Sequence, residues 1–394
     1  MGMQIHRVKK GESVYSISEE YGISPSKIIE NNGLENKNRL CVGQELLILT
    51  PTRSYTVKDG DTLGGVAMRF GTKTRELIRA NPALSGKGRI YAGDVLAIKN
   101  ESESFGCATA NGFFYHGCTE EKLTMSLPYL TYVTVASVMS SDKGFREIFD
   151  GGGICKIAKK NGKVPLLRIY DVSSGEYCTD KTVGERFTDA IIEMAKTGGY
   201  SGIVLSAYRA AEDNAEAFGE FLVELRKRMI GSDLILFTEI DQSTPAVAAD
   251  FSDGSIFYYD KLTEGKIPSF DEGEEKTFST FADLSESTKV FIDIPTLAFA
   301  GDKYITVSEA HAIAYANGKE IIHDERSLTS HFEIGKRRIT FESMENIKAK
   351  LELVAELGFM GISFDIMRVP TSTLMLYNSV FKTLSFPNAY NNNM

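Results

Sequence analysis

The sequence predicts an α/β protein: two small βααβ modules, then a (β/α)8 barrel with a small α+β insertion before its eighth strand. Three observations predict it. The N-terminal quarter holds two copies of one pattern. Eight short apolar runs follow, with amphipathic helical stretches between several of them, as parallel βα units require. Residues 104–394, 291 in all, suit one barrel of about 250 residues plus an insertion.

The repeat comes first. "HRVKKGESVYSISEEYGISPSKIIENNGL…RLCVGQELLIL" begins at His6 and "YTVKDGDTLGGVAMRFGTKTRELIRANPAL…RIYAGDVLAI" at Tyr55. Val8 and Val57, Gly11 and Gly60, Gly22 and Gly71, and Asn32 and Asn81 stand 49 residues apart. After one inserted residue, Leu34 matches Leu84 and Gly43 matches Gly93. Self-similarity at a fixed period marks a repeated structural unit. Gly11 and Gly60 mark the turn after the first strand, and Ser13 and Thr62 are placed to cap the next helix. Val14, Ile17 and Tyr21, like Leu63, Val66 and Phe70, recur at helical spacing and predict one buried face. Asn32 and Asn81 follow the second helix, where asparagine tolerates left-handed backbone. "TPTRS" (50–54) reads as the linker between copies and "NESES" (100–104) as the linker onward, giving modules at 4–50 and 53–99 and a barrel at 104–394.

V-x-x-G-[DE]-[ST], a helix, an Asn-led loop ending in Leu, then G-[QD]-x-L, all twice, resembles the LysM domain. The resemblance implies binding of N-acetylglucosamine-containing glycans, such as peptidoglycan or chitin, in a groove between two loops. Those loops are Gly11-Glu12-Ser13-Val14 with Asn32-Gly33-Leu34, and Gly60-Asp61-Thr62-Leu63 with Asn81-Pro82-Ala83-Leu84. Most of the Gly and Asn shape turns, while backbone groups of the loops would bond the N-acetyl group. Tandem sites gain avidity when both reach one polymer, which a repetitive glycan permits.

The barrel strands are predicted at "FGCATA", "YLTYVTVAS", "VPLLRIYD", "SGIVLSAY", "LILFTEI", "SIFYYD", "KVFIDIP" and "GISFDI". "GERFTDAIIEMAKTGG" and "EDNAEAFGEFLVELRKRM" are the clearest helices. No Gly-rich phosphate loop follows any strand, which counts against a nucleotide-binding sheet. Through "PYLTYVTVAS", "GYSGIVLSAY", "YYDKL" and "ITFESMENIKAKLELVAELGFMGIS", this part resembles family 18 glycosidases. With the tandem modules in front, it looks closest to the LysM-bearing spore cortex-lytic N-acetylglucosaminidases of endospore formers.

The resemblance implies a fourth strand ending in a D-G-x-[DN]-x-D-x-E type motif. There the Glu protonates the leaving oxygen, and the preceding Asp orients the substrate's N-acetyl group, whose carbonyl acts as the nucleophile. Laid on this chain, the motif falls on Ser201–Tyr208. Gly202 is retained, Tyr208 takes the acid position, Ser206 takes the assisting Asp position, and Ser201 and Val204 replace the earlier polar ones. A phenol of pKa about 10 is a poor proton donor here, and losing a positioned general acid forfeits roughly 10²–10⁴-fold in rate. Asp365 stands where the family's eighth strand carries Trp, and the chain contains no Trp. Tyr259-Asp260 do match the family's Tyr-Asp, which contacts the N-acetyl sugar. The expectation is a glycan-binding protein on a catalytically degenerate barrel.

The alternative is an active glycoside hydrolase with relocated carboxylates. Asp171, Glu239, Asp241, Asp260, Asp293 and Asp365 lie at or near predicted strand C-termini, the active face of such barrels. Two facing carboxylates suffice for acid/base hydrolysis, and Glu239 with Asp241 in "LFTEID" is the pair singled out. Tyr208, Tyr258, Tyr259 and Phe364 are candidates for an aromatic sugar platform, with barrel packing the competing reading for Tyr258 and Phe364.

Composition bounds the rest. Hydrophobic residues at 42% and charged residues at 25% suit a globular chain. A net charge of −9 argues against nucleic acid, which selects a basic face. No run of about 18 apolar residues predicts a membrane span, and MGMQIHRVKKGES lacks the apolar core of a secretory signal. Cys41, Cys107, Cys118, Cys155 and Cys178 form no C-x-x-C and the histidines are dispersed, so no metal, disulfide framework or cofactor is expected. The resemblance accounts for the missing signal, since such proteins are laid onto the forespore from the mother-cell cytoplasm. The expected location is therefore the spore envelope or cell wall, with spore-coat proteins as further partners.

Overall fold

The computed structural model describes residues 3–36, 39–84, 89–100, 106–207, 213–240, 251–257, 289–294, 296–301, 303–324 and 329–383. The first module is β1 (Met3–Arg7), α1 (Val14–Tyr21), α2 (Pro25–Asn32) and β2 (Glu45–Leu49), with β1 and β2 antiparallel. The second is β3 (Pro51–Thr56), α3 (Leu63–Arg69), α4 (Thr74–Arg79) and β4 (Val95–Asn100), with β3 and β4 antiparallel. Most of "TPTRS" is therefore strand rather than linker, because Pro51 already pairs with Asn100. Residues 101–105 of the second expected linker lie outside the described residues.

Each module is closed by its predicted local chemistry. Ser13 accepts from Ser16 N at 3.1 Å and Thr62 from Gly65 N at 3.0 Å, capping α1 and α3. The helices then bury Val14 and Ile17, or Leu63 and Val66, against the strands. The role expected of Asn32 and Asn81 is different from the one seen. The left-handed residue is Gly33, at φ 60, and the only described non-glycine with positive φ is Asp233. The asparagines instead supply side-chain amides. Asn32 donates to Ile28 O and Leu47 O, both 2.9 Å, and accepts from Leu47 N at 2.7 Å. Asn81 bonds Leu77 O, Ala97 O and Ala97 N in the same way, each at 2.8 Å. One amide thus stitches the second helix to the last strand in both copies.

The third region opens with β5 (Cys107–Phe114), β6 (Tyr132–Ser141) and β7 (Gly144–Glu147), an antiparallel companion of β6. β8 (Val164–Asp171), β9 (Gly202–Ser206), β10 (Ile235–Ile240), β11 (Gly254–Phe257) and β12 (Val290–Asp293) follow. β13 (Leu297–Phe299), β14 (Tyr304–Thr306), β15 (Ile322–Asp324), β16 (Thr329–Ile334) and β17 (Arg337–Glu342) form a separate antiparallel sheet. β18 (Gly361–Asp365) then returns to the main sheet. β5, β6, β8, β9, β10, β11, β12 and β18 run parallel, and the β18–β5 and β5–β6 pairings close them into an eight-stranded barrel. Every predicted barrel strand is present. Helices α5 (Glu120–Ser126), α6 (Gly152–Lys160), α7 (Glu176–Thr179), α8 (Lys181–Thr197) and α9 (Ala215–Met229) connect the early strands. α10 (Val307–Ala316) belongs to the insertion, and α11 (Met344–Glu356) and α12 (Thr371–Val380) flank β18.

Strand alternation sets the two faces. Ile203 and Leu205 of β9 join the core under the helices, while Val204 joins Phe113, Tyr132, Leu166, Phe237, Ile256 and Phe291 in an apolar layer inside the barrel. Two residues further along, the same inward rows become polar: Thr134, Arg168, Ser206, Glu239 and Asp293. Gly202 has a packing reason, since a Cβ there would stand 2.5 Å from Ile235 O and 2.9 Å from Leu166.

The first module is seated on the other units. Ile321 N donates to Val42 O at 2.9 Å, Gly43 O lies 2.6 Å from His323 Nε2, and Met344 N donates to Glu45 at 2.6 Å. A Cβ on Gly43 would fall 2.0 Å from Ile321 O. The second module touches the barrel through Arg79, whose Nε donates to Pro128 O at 2.6 Å, and touches the first through Lys27 to Asn81 at 2.8 Å.

Candidate functional site

The polar layer at the C-terminal end of the barrel is organised by Arg168. Its guanidinium grips both Glu239 oxygens, at 2.5 and 2.6 Å, and reaches Ser206 Oγ at 3.3 Å. The Glu239 side chain is 0% exposed and that of Arg168 20%. The guanidinium also lies 5.5 Å from the Phe113 ring centroid and 5.1 Å from that of Tyr170. Glu239, a candidate relocated acid in the sequence, is therefore half of a bidentate ion pair with Arg168. Ser206, at the assisting position, faces the interior as alternation requires and is 0% exposed.

Beside this pair stands Asp293, half-buried at the end of β12. Burial, with the Asp365 and Glu239 carboxylates nearby, pushes its carboxyl well above the usual range; Arg168 and a hydrogen bond from Ser363 oppose the shift only partly. Asp365 is raised too, chiefly by burial, although Arg368 and the Tyr115 hydroxyl at 3.2 Å favour its charged form. Asp171 accepts from Ser173 and from Tyr177 OH at 2.9 Å and so braces its own loop. Phe364 is 0% exposed and packs edge-on against Tyr377 outside the barrel bore, so it is no sugar platform. Tyr208, Asp241, Tyr258, Tyr259 and Asp260 lie outside the described residues. Arg168 is the residue the sequence reading missed. Its signal was a positive charge inside the mostly apolar run "VPLLRIYD", on the same inward row as Leu166.

In the modules, the two turn acids do the same work. Glu12 accepts from Lys9 N at 2.7 Å and pairs with His6 at 2.9 Å; Asp61 accepts from Lys58 N at 2.8 Å and Tyr55 OH at 2.6 Å. The Tyr55 hydroxyl and Lys58 amide hold Asp61 below the ordinary carboxylate value. Gly11, Ser13, Gly33, Gly60 and Thr62 are exposed, whereas Asn81 and Pro82 are buried. The Glu12, Asp61 and Asn32 side chains are thus engaged within their own modules, and Asn81 both within its own and with Lys27 of the first. Among the described residues, no group of three or more His, Cys, Asp or Glu could hold a metal, and no helix is long and apolar enough to cross a membrane.

Comparison with known proteins agrees with this architecture. Residues 6–49 and 55–99 match the LysM domain, so the chain carries two LysM domains in tandem. It is 25% identical over 280 residues to a cortical fragment-lytic enzyme of Bacillus cereus, covering 68% of this chain and 64% of that protein. A cell wall-binding protein of Bacillus subtilis is 34% identical over 108 residues, 26% of this chain and 37% of the relative. The chain thus spans less than two thirds of the length of these relatives. Among solved structures, the spore cortex-lytic enzyme SleL of Bacillus cereus superposes at a TM-score of 0.75 with 22% identity, over 98% of this chain and 100% of that one. A family GH18 chitinase from Cycas revoluta gives 0.59 with 14% identity, over 69% and 99%. The barrel has the fold of the GH18 chitinases, and the relatives tie the chain to the cell wall and to glycosidase-related proteins.

Proposed function

We propose that this protein binds N-acetylglucosamine-containing glycan, peptidoglycan above all, in the spore envelope or cell wall, and that its barrel is catalytically degenerate. The observation that carries the reading is the Arg168–Glu239–Ser206 cluster. Where the fold's substrate-assisted chemistry needs a carboxylate on β9, there is a serine hydroxyl, and the nearest inward glutamate is bound on both oxygens by arginine. Tyr208 at the motif's acid position removes the second requirement. The LysM domains and the cortex-lytic and cell-wall-binding relatives support the choice of glycan. Spore-coat proteins remain part of the proposal as further partners. The test is mass spectrometry of soluble products after incubation with cortex-type peptidoglycan and chitin oligomers, beside an active family 18 enzyme. Absence of products, with the protein pelleting alongside the glycan, is expected. Sugar release at rates near the control overturns the degenerate reading.

One observation favours the second reading, hydrolysis with relocated acids. Asp293 stands in the barrel mouth with its carboxyl raised well above the usual range by burial and by the Asp365 and Glu239 charges, and a general acid needs a pKa shifted in that direction. Under that reading Asp293→Asn abolishes sugar release; under the first there is none to abolish.

A further inference from the structure

The insertion sheet presents two hairpin turns side by side, and they carry the opposite charge to the chain as a whole. β13 turns into β14 through residues 300–303, β16 turns into β17 through Gly335 and Lys336, and Phe299 pairs with Thr340 where the two hairpins meet. Between the turns runs an open groove of about 540 Å³. Phe299 and Ile334 give it apolar surface, and Lys336, Arg337 and Arg338 give it charge. None of the described residues lining it is acidic; Asp302 lies outside the described residues. The sequence builds this shape. Gly335, at φ 61, permits a two-residue loop that leaves Lys336 exposed. Arg337 Nε donates to Ala300 O and ties one turn to the other. Phe299 packs against Tyr304 with ring centroids 5.4 Å apart.

The charges at this end are only partly answered. Lys303, Lys336 and Arg338 are exposed and form no ion pair among the described residues. Glu333 stands opposite Arg338 in the ladder, and Glu309 lies within electrostatic reach of Lys303. The turns thus keep a positive surplus on a chain whose net charge is −9. Such a patch selects a short anion, because a long polyanion also meets the repulsion of the whole chain, whereas a short one feels only what lies within a Debye length of about 8–10 Å. Arginine binds a carboxylate on two parallel N–H groups, and the apolar strip between the cations suits small apolar side chains. The fitting ligand is a short peptide in which carboxylates alternate with residues such as alanine. Phe299 follows Asp293 of the barrel mouth by six residues, so the groove begins within about 21 Å of it, and a five-residue peptide spans up to about 17 Å.

We propose that this groove binds the carboxylate-bearing peptide stem of peptidoglycan, so that the insertion distinguishes peptidoglycan from peptide-free glycans such as chitin. The proposal rests on the reading of the protein as a glycan binder. The test is calorimetric titration of the full chain with three ligands: a peptidoglycan tetrasaccharide carrying its peptides, the same tetrasaccharide stripped of them, and the N-acetylglucosamine tetramer. Wild type is compared with Lys336→Glu combined with Arg338→Glu. In wild type at low salt the peptide-bearing fragment should bind about fivefold or more tighter than the stripped one, the scale that exposed charge contacts allow. That preference should vanish near 1 M salt, where screening acts within about 3 Å. The double variant should lose the preference, bind the tetramer as wild type does, and melt with wild type because both side chains are exposed. Lys336→Gln with Arg338→Gln repeats the measurement if charge reversal lowers the melting temperature. Equal binding of the two fragments by wild type, or a preference that survives the substitutions, overturns the groove and leaves glycan binding standing. A wild type that binds none of the three overturns both.

Discussion

Replacing Glu239 by leucine separates a structural ion pair from a catalytic acid. The substitution leaves the Arg168 guanidinium facing an apolar side chain, with Ser206 Oγ at 3.3 Å as a remaining acceptor. Removing one member of a buried pair costs about 3–5 kcal/mol, because the other charge stays desolvated. Arg168 keeps 20% of its side-chain exposure, so water answers part of the loss and the lower half of that range, about 3–4 kcal/mol, applies. At about 2–3 °C per kcal/mol for a domain of this size, the melting temperature falls by roughly 6–12 °C. Arg168→Met combined with Glu239→Leu removes both charges and recovers to within about 1 kcal/mol of wild type, as apolar replacement of buried pairs often does. Thermal denaturation followed by circular dichroism at neutral pH measures all three proteins, and product release from peptidoglycan is measured in parallel. If Glu239→Leu melts with the wild type, the pair does not hold the mouth together. If it instead loses a measurable hydrolysis at unchanged stability, Glu239 is the acid and the argument from its arginine is wrong.

Three further outcomes follow from the same structure. His311 is neutral when folded, with its pKa near 4 against an ordinary value of 6.5, so the unfolded chain takes up a proton first as pH falls. Stability therefore drops between about pH 6.5 and pH 4, by up to about 3 kcal/mol, and His311→Leu flattens that slope in melts across the range. Asp293 has the opposite sign: its raised pKa means the folded state is penalised as pH rises from about 4 through the folded value. Asp293→Asn should gain melting temperature over wild type at pH 8 and match it near pH 4; equal curves at both would show the carboxyl to be solvated. Gly43→Ala puts a methyl 2.0 Å from Ile321 O at φ 81, which neither backbone can yield cheaply. The expected cost is at least about 2 kcal/mol, and limited proteolysis should cut between the first module and the rest faster than in wild type.

What the sequence disclosed was local or periodic. The 49-residue offset found both modules because each is closed by short-range devices: the Ser13 and Thr62 caps, and turn glycines such as Gly11 and Gly60 at φ 87 and 80. The eight barrel strands were legible because an apolar run between turn signals is a local pattern. Asn32 and Asn81 were located correctly but given a backbone role, since nothing in the sequence says that an amide reaches 15 or 16 residues ahead to the last strand. The seat of the first module was illegible for the same reason at longer range: Arg7 meets a glutamate 338 residues away.

The barrel mouth joins both cases. Alternation placed Ser206 inward and predicted a row of side chains, but which inward residues from other strands meet Ser206 is decided by barrel closure. Arg168 and Glu239 are 71 residues apart, and each alone reads as an ordinary polar residue near a strand end. Together they settle an electrostatic problem peculiar to this layer. The fold brings Glu239, Asp293 and Asp365 into one poorly solvated mouth, where three like charges repel. The half-buried Arg168 pairs with the first, a raised pKa favours the neutral form of the second, and Arg368 and Tyr115 answer the third. Under the proposed function these carboxyls need only be tolerated; under the rival reading, Asp293, whose carboxyl is raised, is the candidate proton donor. Melting and product release for Asp293→Asn, measured on the same sample, decide between them: a gain in stability at pH 8 with no hydrolysis to lose fits a retired mouth, and loss of sugar release fits a working one.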